Sequence, residues 1–160
     1  MLIDYNRRLD KTILTQEDID QLYDNSFSSV LHLTFIGTGT QLGREYIKLL
    51  GIVQGKLYAL QDLGEDLMAG IVNVPAEVIQ NAPLTLSEIM ASHVALERTA
   101  DFQQWQQREL RLCQQYLYTL RTLDVSKKVR KIISILTDPL AEYLKTELPE
   151  NGPIDVITGE

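Results

Sequence analysis

A single cysteine in 160 residues, Cys113, has no partner for an intramolecular disulfide, and one thiolate is too few for a Cys-built zinc or iron–sulfur site. Histidine is nearly as scarce. His32 and His93 are the only two, so a barrel-type metal centre would need a carboxylate ligand that the sequence does not place. No apolar run approaches the roughly 18 residues needed to cross a bilayer. The N-terminus, Met1-Leu-Ile-Asp-Tyr-Asn-Arg-Arg, lacks the apolar core of a signal peptide. Together these absences lead us to expect a cytoplasmic protein with no membrane contact and no cofactor. Positive charge is also in the minority, 15 Lys and Arg against 22 Asp and Glu, for a formal net charge of −7. A field of that sign repels phosphate overall.

What is present is the balance of a folded globular chain, 44% hydrophobic and 23% charged. The charge is uneven. Residues 1–96 carry 6 Lys/Arg against 12 Asp/Glu, and residues 97–160 carry 9 against 10. The only basic cluster is Lys127, Lys128, Arg130 and Lys131.

Thr15-Gln-Glu-Asp-Ile reads as the capped start of a short helix ending at Asn25-Ser26, with Ile19 and Leu22 inward. From Phe27 to about Leu96 the pattern suggests strands. Val30, His32 and Thr34 alternate with Leu31, Leu33 and Phe35. Residues 46–53 and 56–61 flank Gln54-Gly55 as a hairpin would, and residues 67–74 form a further short run closed by Pro75. Short strands separated by turn signals imply a β-sandwich, jelly roll or barrel.

A long amphipathic run then extends from Asp101 to about Thr122. Phe102, Trp105, Leu112, Tyr116, Leu120 and Leu123 mark one face, with Glu109 interrupting the row. A stripe of this length packs on its own domain or on its copy in a dimer, and we expect the dimer. Behind Asp124 a second helix places Val125, Val129, Ile132, Ile133, Leu136 and Leu140 on one face, opposite the basic cluster. After Leu144 come a Pro- and Gly-containing loop and a short strand at Ile154. The fold class expected is thus α+β: a β-roll or jelly-roll domain over 1–98, a dimerisation helix over 99–123, and a further short helix within 124–160.

This order resembles the Crp/Fnr family of bacterial transcription regulators, the cyclic-AMP receptor protein type. Leu50-Gly-Ile-Val-Gln-Gly-Lys-Leu-Tyr-Ala-Leu is similar to the family's strand–Gly–strand hairpin, with Gly55 at the turn. Gly64-Glu-Asp-Leu-Met-Ala-Gly-Ile-Val-Asn-Val-Pro-Ala-Glu resembles the approach to its effector pocket. Leu120-Arg-Thr-Leu-Asp-Val-Ser-Lys-Lys-Val-Arg-Lys-Ile-Ile resembles its hinge and the first helix of its DNA-binding domain, and Ile154-Asp-Val-Ile-Thr the strand before its helix-turn-helix. The resemblance implies a cyclic-nucleotide-binding-like roll, a homodimer, Glu77 as an effector-ligand candidate, and Lys127, Lys128, Arg130 and Lys131 near a DNA backbone. Three departures qualify it. No Arg or Lys lies between Lys56 and Arg98, where a cyclic phosphate would need one. The N-terminal cysteines of the iron–sulfur members are lacking. The residues after Leu144 leave no room for two recognition helices, so DNA is expected as a partner only with a helix-turn-helix restored.

Other candidates have blander alternatives. Cys113 is an oxidant sensor or an inert packing residue. Phe102 with Trp105 forms a base-stacking platform or interface core. Gly37-Thr-Gly-Thr lacks the flanking elements of a dinucleotide loop. Two functions are expected, neither enzymatic: a Crp/Fnr-like regulator without its DNA-reading helices, or a homodimeric regulatory or adaptor protein that never binds DNA and acts through protein–protein contacts.

Overall fold

In α1 (Gln16–Gly37), Ile19, Tyr23, Phe27, Leu31 and Phe35 recur at four-residue steps and lay one apolar row along the helix. The computed structural model describes residues 13–148. Thr15 caps α1 as expected: its hydroxyl accepts the Asp18 N–H, and the Asp18 carboxylate accepts the Thr15 N–H in return. The helix does not stop at Asn25-Ser26. It runs on through the segment expected to be a first strand.

The chain returns as α2 (Arg44–Gln61). Every residue from Leu50 to Leu57 is buried, so the middle of α2 is covered on all sides and forms the centre of the molecule. Its glycines fix its distance from α1. A Cβ on Gly55 would lie 2.3 Å from Cγ of Tyr23, and one on Gly51 would lie 3.0 Å from Oγ of Ser28. Four short helices follow: α3 (Leu63–Met68), α4 (Ala76–Asn81), α5 (Leu86–Ala91) and α6 (His93–Glu97). Thr85 caps α5 through a reciprocal pair with Glu88. Two long helices complete the fold, α7 (Ala100–Thr122) and α8 (Lys127–Glu147), the latter capped by Ser126 and carrying Pro139 inside it.

Pairings give the directions. Asp20 meets Lys56 and Ser28 faces Gly51, so α1 and α2 are antiparallel. Trp105 reaches Gln16, so α7 runs alongside α1 in the same sense. Arg121 meets Thr137 and Asp138, so α8 is antiparallel to α7, and Lys128 touches the end of α1. The four long helices form an up-down-up-down bundle, with α3–α6 joining α2 to α7 at one end.

This overturns the expected β-roll or jelly roll. Among the described residues there is no strand. The supposed hairpin of residues 46–61 is the single helix α2, with Gly55 a close-packing site in its interior and no turn. The segment 67–74 is the end of α3 and the turn after it. The expected boundaries at 98 and 123 do not divide the core either: one apolar cluster runs from Leu31 through Leu57, Leu96 and Leu117 to Leu144. The long helix was anticipated within a residue of its observed ends. The strand expected at Ile154 lies outside the described residues.

Candidate functional site

The densest polar arrangement ties α1, α2 and α7 together. Lys56, in the buried middle of α2, has a side chain only 4% exposed, and its ammonium donates to Asp20 Oδ1 at 2.5 Å and to Glu109 Oε2. Arg108 Nε lies 3.3 Å from the other Glu109 oxygen. Trp105 Nε1 donates to Gln16 Oε1 at 2.8 Å, and Gln16 Nε2 donates to Asp20 Oδ1 at 2.9 Å. Burial by itself would lower the Lys56 pKa. The Glu109 charge and the hydrogen bonds to both carboxylates outweigh it and hold the ammonium above its ordinary value. The cavity beside this network measures about 10 Å³ and is lined by Gln16, Tyr23, Lys56, Trp105 and Glu109 among others. That is room for about one water and for no substrate. The three helices α1, α2 and α7 are thus clamped by charge at one level of the bundle.

Neighbouring groups are equally enclosed. Cys113, one turn beyond Glu109, is fully buried, and burial pushes its thiol up to about 12. A thiol so held stays protonated near neutral pH, which favours the packing role over oxidant sensing.

The residues expected to form a dimer seam face inward. Phe102, Trp105 and Leu120 are buried in the chain's own core, Tyr116 and Leu123 pack against its margin, and Leu112 is half-buried. Glu109 interrupts the apolar row because it faces Lys56. Glu77 is exposed in the first turn of α4. His32 lies on α1, while the His93 ring packs against Gly64 near α3, and the two do not converge. Among the described residues no group of three His, Cys, Asp or Glu side chains is placed to share a metal ion, and no helix is long and apolar enough to cross a membrane.

The basic cluster is only half free. Lys128 Nζ donates to the Thr38 carbonyl at 2.5 Å, closing the C-terminal end of α1. Arg130 donates to the carbonyls of Arg121 and Leu123 at 3.1 and 2.8 Å, closing that of α7. Cations suit helix C-termini, where unpaired carbonyls carry the negative end of the dipole.

No family model, curated protein or solved structure matches the chain. What the molecule does is therefore read from its surface, where two features coincide. The first is a stripe on α1. Val30, Leu33 and Ile36 recur every three residues, off the buried row, and are 63%, 69% and 67% exposed. The second is charge. Cutting the four long helices at their midpoints groups residues 27–52 with 112–137 at the end where α1 and α7 finish and α2 and α8 begin. That end holds seven Lys/Arg against two Asp/Glu, a charge of +5, while the remaining described residues hold five against fifteen, a charge of −10. Between stripe and α2 lies an open groove of about 860 Å³, lined by Asp24, Asn25, Ser28, Ser29, His32, Arg44, Glu45 and Lys48. Lys48 leans toward Asp24 at 3.6 Å. Arg44, Lys127 and Lys131 have no ion-pair or hydrogen-bond partner among the described residues.

Sequence reasoning missed the stripe, and it named the Lys127, Lys128, Arg130 and Lys131 cluster without its place at one end of a bundle. The stripe was absorbed into a supposed strand, in which Leu33 would have faced inward. The signal was available: once the four-residue row from Ile19 to Phe35 is assigned to the core, Val30, Leu33 and Ile36 are left over on another side.

Proposed function

We propose that this protein is a non-catalytic regulatory or adaptor module that acts through protein–protein contacts. The observation that carries this is the exposed stripe of Val30, Leu33 and Ile36 at the end of a well-packed bundle whose other large side chains are mostly enclosed. Large apolar side chains left in water at helical spacing beside a groove mark a contact surface. Burying what remains exposed of these three side chains contributes roughly 3–6 kcal/mol before the cost of association, which favours an exchangeable contact over a permanent one.

The Crp/Fnr-like alternative has lost its supports, since the segment read as its roll is helical and two of its four cations cap the protein's own helices. A homodimer through α7 is disfavoured because its seam is occupied by the protein's own core. We place the role in the cytoplasm, whose reducing conditions would keep the lone cysteine a thiol.

The test is site-specific photo-cross-linking inside the source cells. A probe at position 33 should capture a discrete protein partner, whereas a probe at position 118, equally exposed on another face, should not. Equal yields at the two positions would sink the idea.

A further inference from the structure

We propose that the basic end of the bundle seats an acidic amphipathic helix from a partner protein, its apolar face on Val30, Leu33 and Ile36 and its carboxylates toward Arg44, Lys127 and Lys131. This rests on the function proposed above and names the occupant of that surface.

Four observations select it. First, the stripe runs for about 9 Å along α1, six residues at 1.5 Å each, which is the length that two turns of a docked helix cover. Its side chains repeat at three-residue steps, as a facing helix requires. Second, the half of the bundle that bears the stripe carries +5 among the described residues of a protein of net charge −7, so positive charge is concentrated at that end and not general. Three of its cations have no partner among the described residues and are available to carboxylates. Third, a twofold copy is disfavoured: pairing α1 with α1 would bring two +5 ends together, over an apolar area far below the roughly 800 Å² per partner of a stable dimer. Fourth, the groove of about 860 Å³ beside the stripe is concave. A flat lipid surface would leave it unfilled, and a phosphate backbone would leave the stripe in water.

The charges that face the groove from both helices are Asp24, Glu45, Arg44, Lys48 and His32. Asp24 is engaged by Lys48 and by the Ser28 hydroxyl at 2.7 Å, and Glu45 offsets Arg44, so the excess positive charge beside the stripe comes from the α8 cations, which Lys128 anchors at the end of α1. An incoming helix with acidic flanks meets attraction on the α8 side. A basic one meets repulsion.

The full chain is titrated against a labelled peptide of about 15 residues, with leucine along one helical face and glutamate elsewhere. Fluorescence anisotropy should show saturable binding that weakens as salt rises from about 0.05 to about 0.5 M. Leu33→Asp should weaken it about 10-fold or more, and so should the pair Arg44→Glu with Lys131→Glu. A peptide with lysine in place of glutamate should bind at least about 10-fold more weakly than the acidic one. All three substituted residues are exposed, and unchanged helical circular dichroism in the variants confirms that the fold is intact. Absence of binding, equal binding of both peptides, or preferential binding of phosphatidylserine vesicles or duplex DNA overturns the proposal. So does concentration-dependent self-association that Leu33→Asp abolishes. If the acidic peptide fails while position 33 still cross-links to a protein in cells, the occupant is wrong and the adaptor function stands. If both fail, so does the function.

Discussion

Lys56 donates to one carboxylate on each neighbouring helix, and the three charged groups satisfy one another only as a set. Lys56→Met would leave Glu109 buried with only the exposed Arg108 beside it and should destabilise the protein by about 3 kcal/mol, measured by urea unfolding. Adding Glu109→Leu should recover much of that loss, because a well-packed apolar pair avoids the desolvation that the ion pair carries. If the double variant is no more stable than the single, Glu109 is not the group that suffers. The pH dependence follows from the raised Lys56 pKa. The stability it contributes is fully present below the unfolded-state value of about 10.4 and is lost as pH rises through the higher folded-state value. Urea midpoints measured on the alkaline side should therefore fall more steeply for the wild type than for the double variant. None of this was legible in the sequence. Glu109 showed only as a break in an apolar row, since a charge at a core position gives no sign of a partner 53 residues away.

At the scale of elements, α1 and α2 approach closely because Gly51 and Gly55 present no side chain to Ser28 and Tyr23. Gly→Ala inside a helix ordinarily stabilises by roughly 0.5–1 kcal/mol. Gly55→Ala should do the reverse, because its Cβ would fall 2.3 Å from Tyr23 Cγ and 2.6 Å from Tyr23 Cβ, atoms that move only if the helix does. A loss of about 1–3 kcal/mol, and a Tm lower by about 3–10 °C, is expected by calorimetry. An unchanged or raised Tm would show that the crossing is looser than described. The same two glycines explain why helix and strand were confused. Gly55 between two apolar runs imitates a hairpin turn, and a helix buried on every side shows a continuous apolar run, as a central strand does. The β-branched Ile52 and Val53 strengthened the imitation, until burial on all sides of α2 overrode their preference. α7 and the inward row of α8 were readable, with Val129, Ile133 and Leu140 buried as expected, although α8 is 21 residues long and not the short helix expected, and α1, which also has a wet face, was read as a strand beyond Ser26.

For the whole molecule, α7 is an inner wall of the bundle, and this sets the outcome of a test aimed at dimerisation. Trp105→Asp should remove the fold itself, seen as loss of near-ultraviolet circular dichroism, because the indole is buried against Phe102 and bonded to Gln16. Leu112→Asp, at a half-buried position, should leave a folded chain. Sedimentation of the wild type should give a species of 18.2 kDa. A wild-type dimer that Leu112→Asp splits into folded monomers would restore α7 as a seam. The two-ended charge has a consequence in the laboratory as well. A chain of net charge −7 belongs on an anion exchanger at neutral pH, yet its +5 end gives it a handle for a cation exchanger. Adsorbed in that way, every molecule would stand with the same end down, α3–α6 and the acidic half facing the solvent, an oriented layer obtained without any tag.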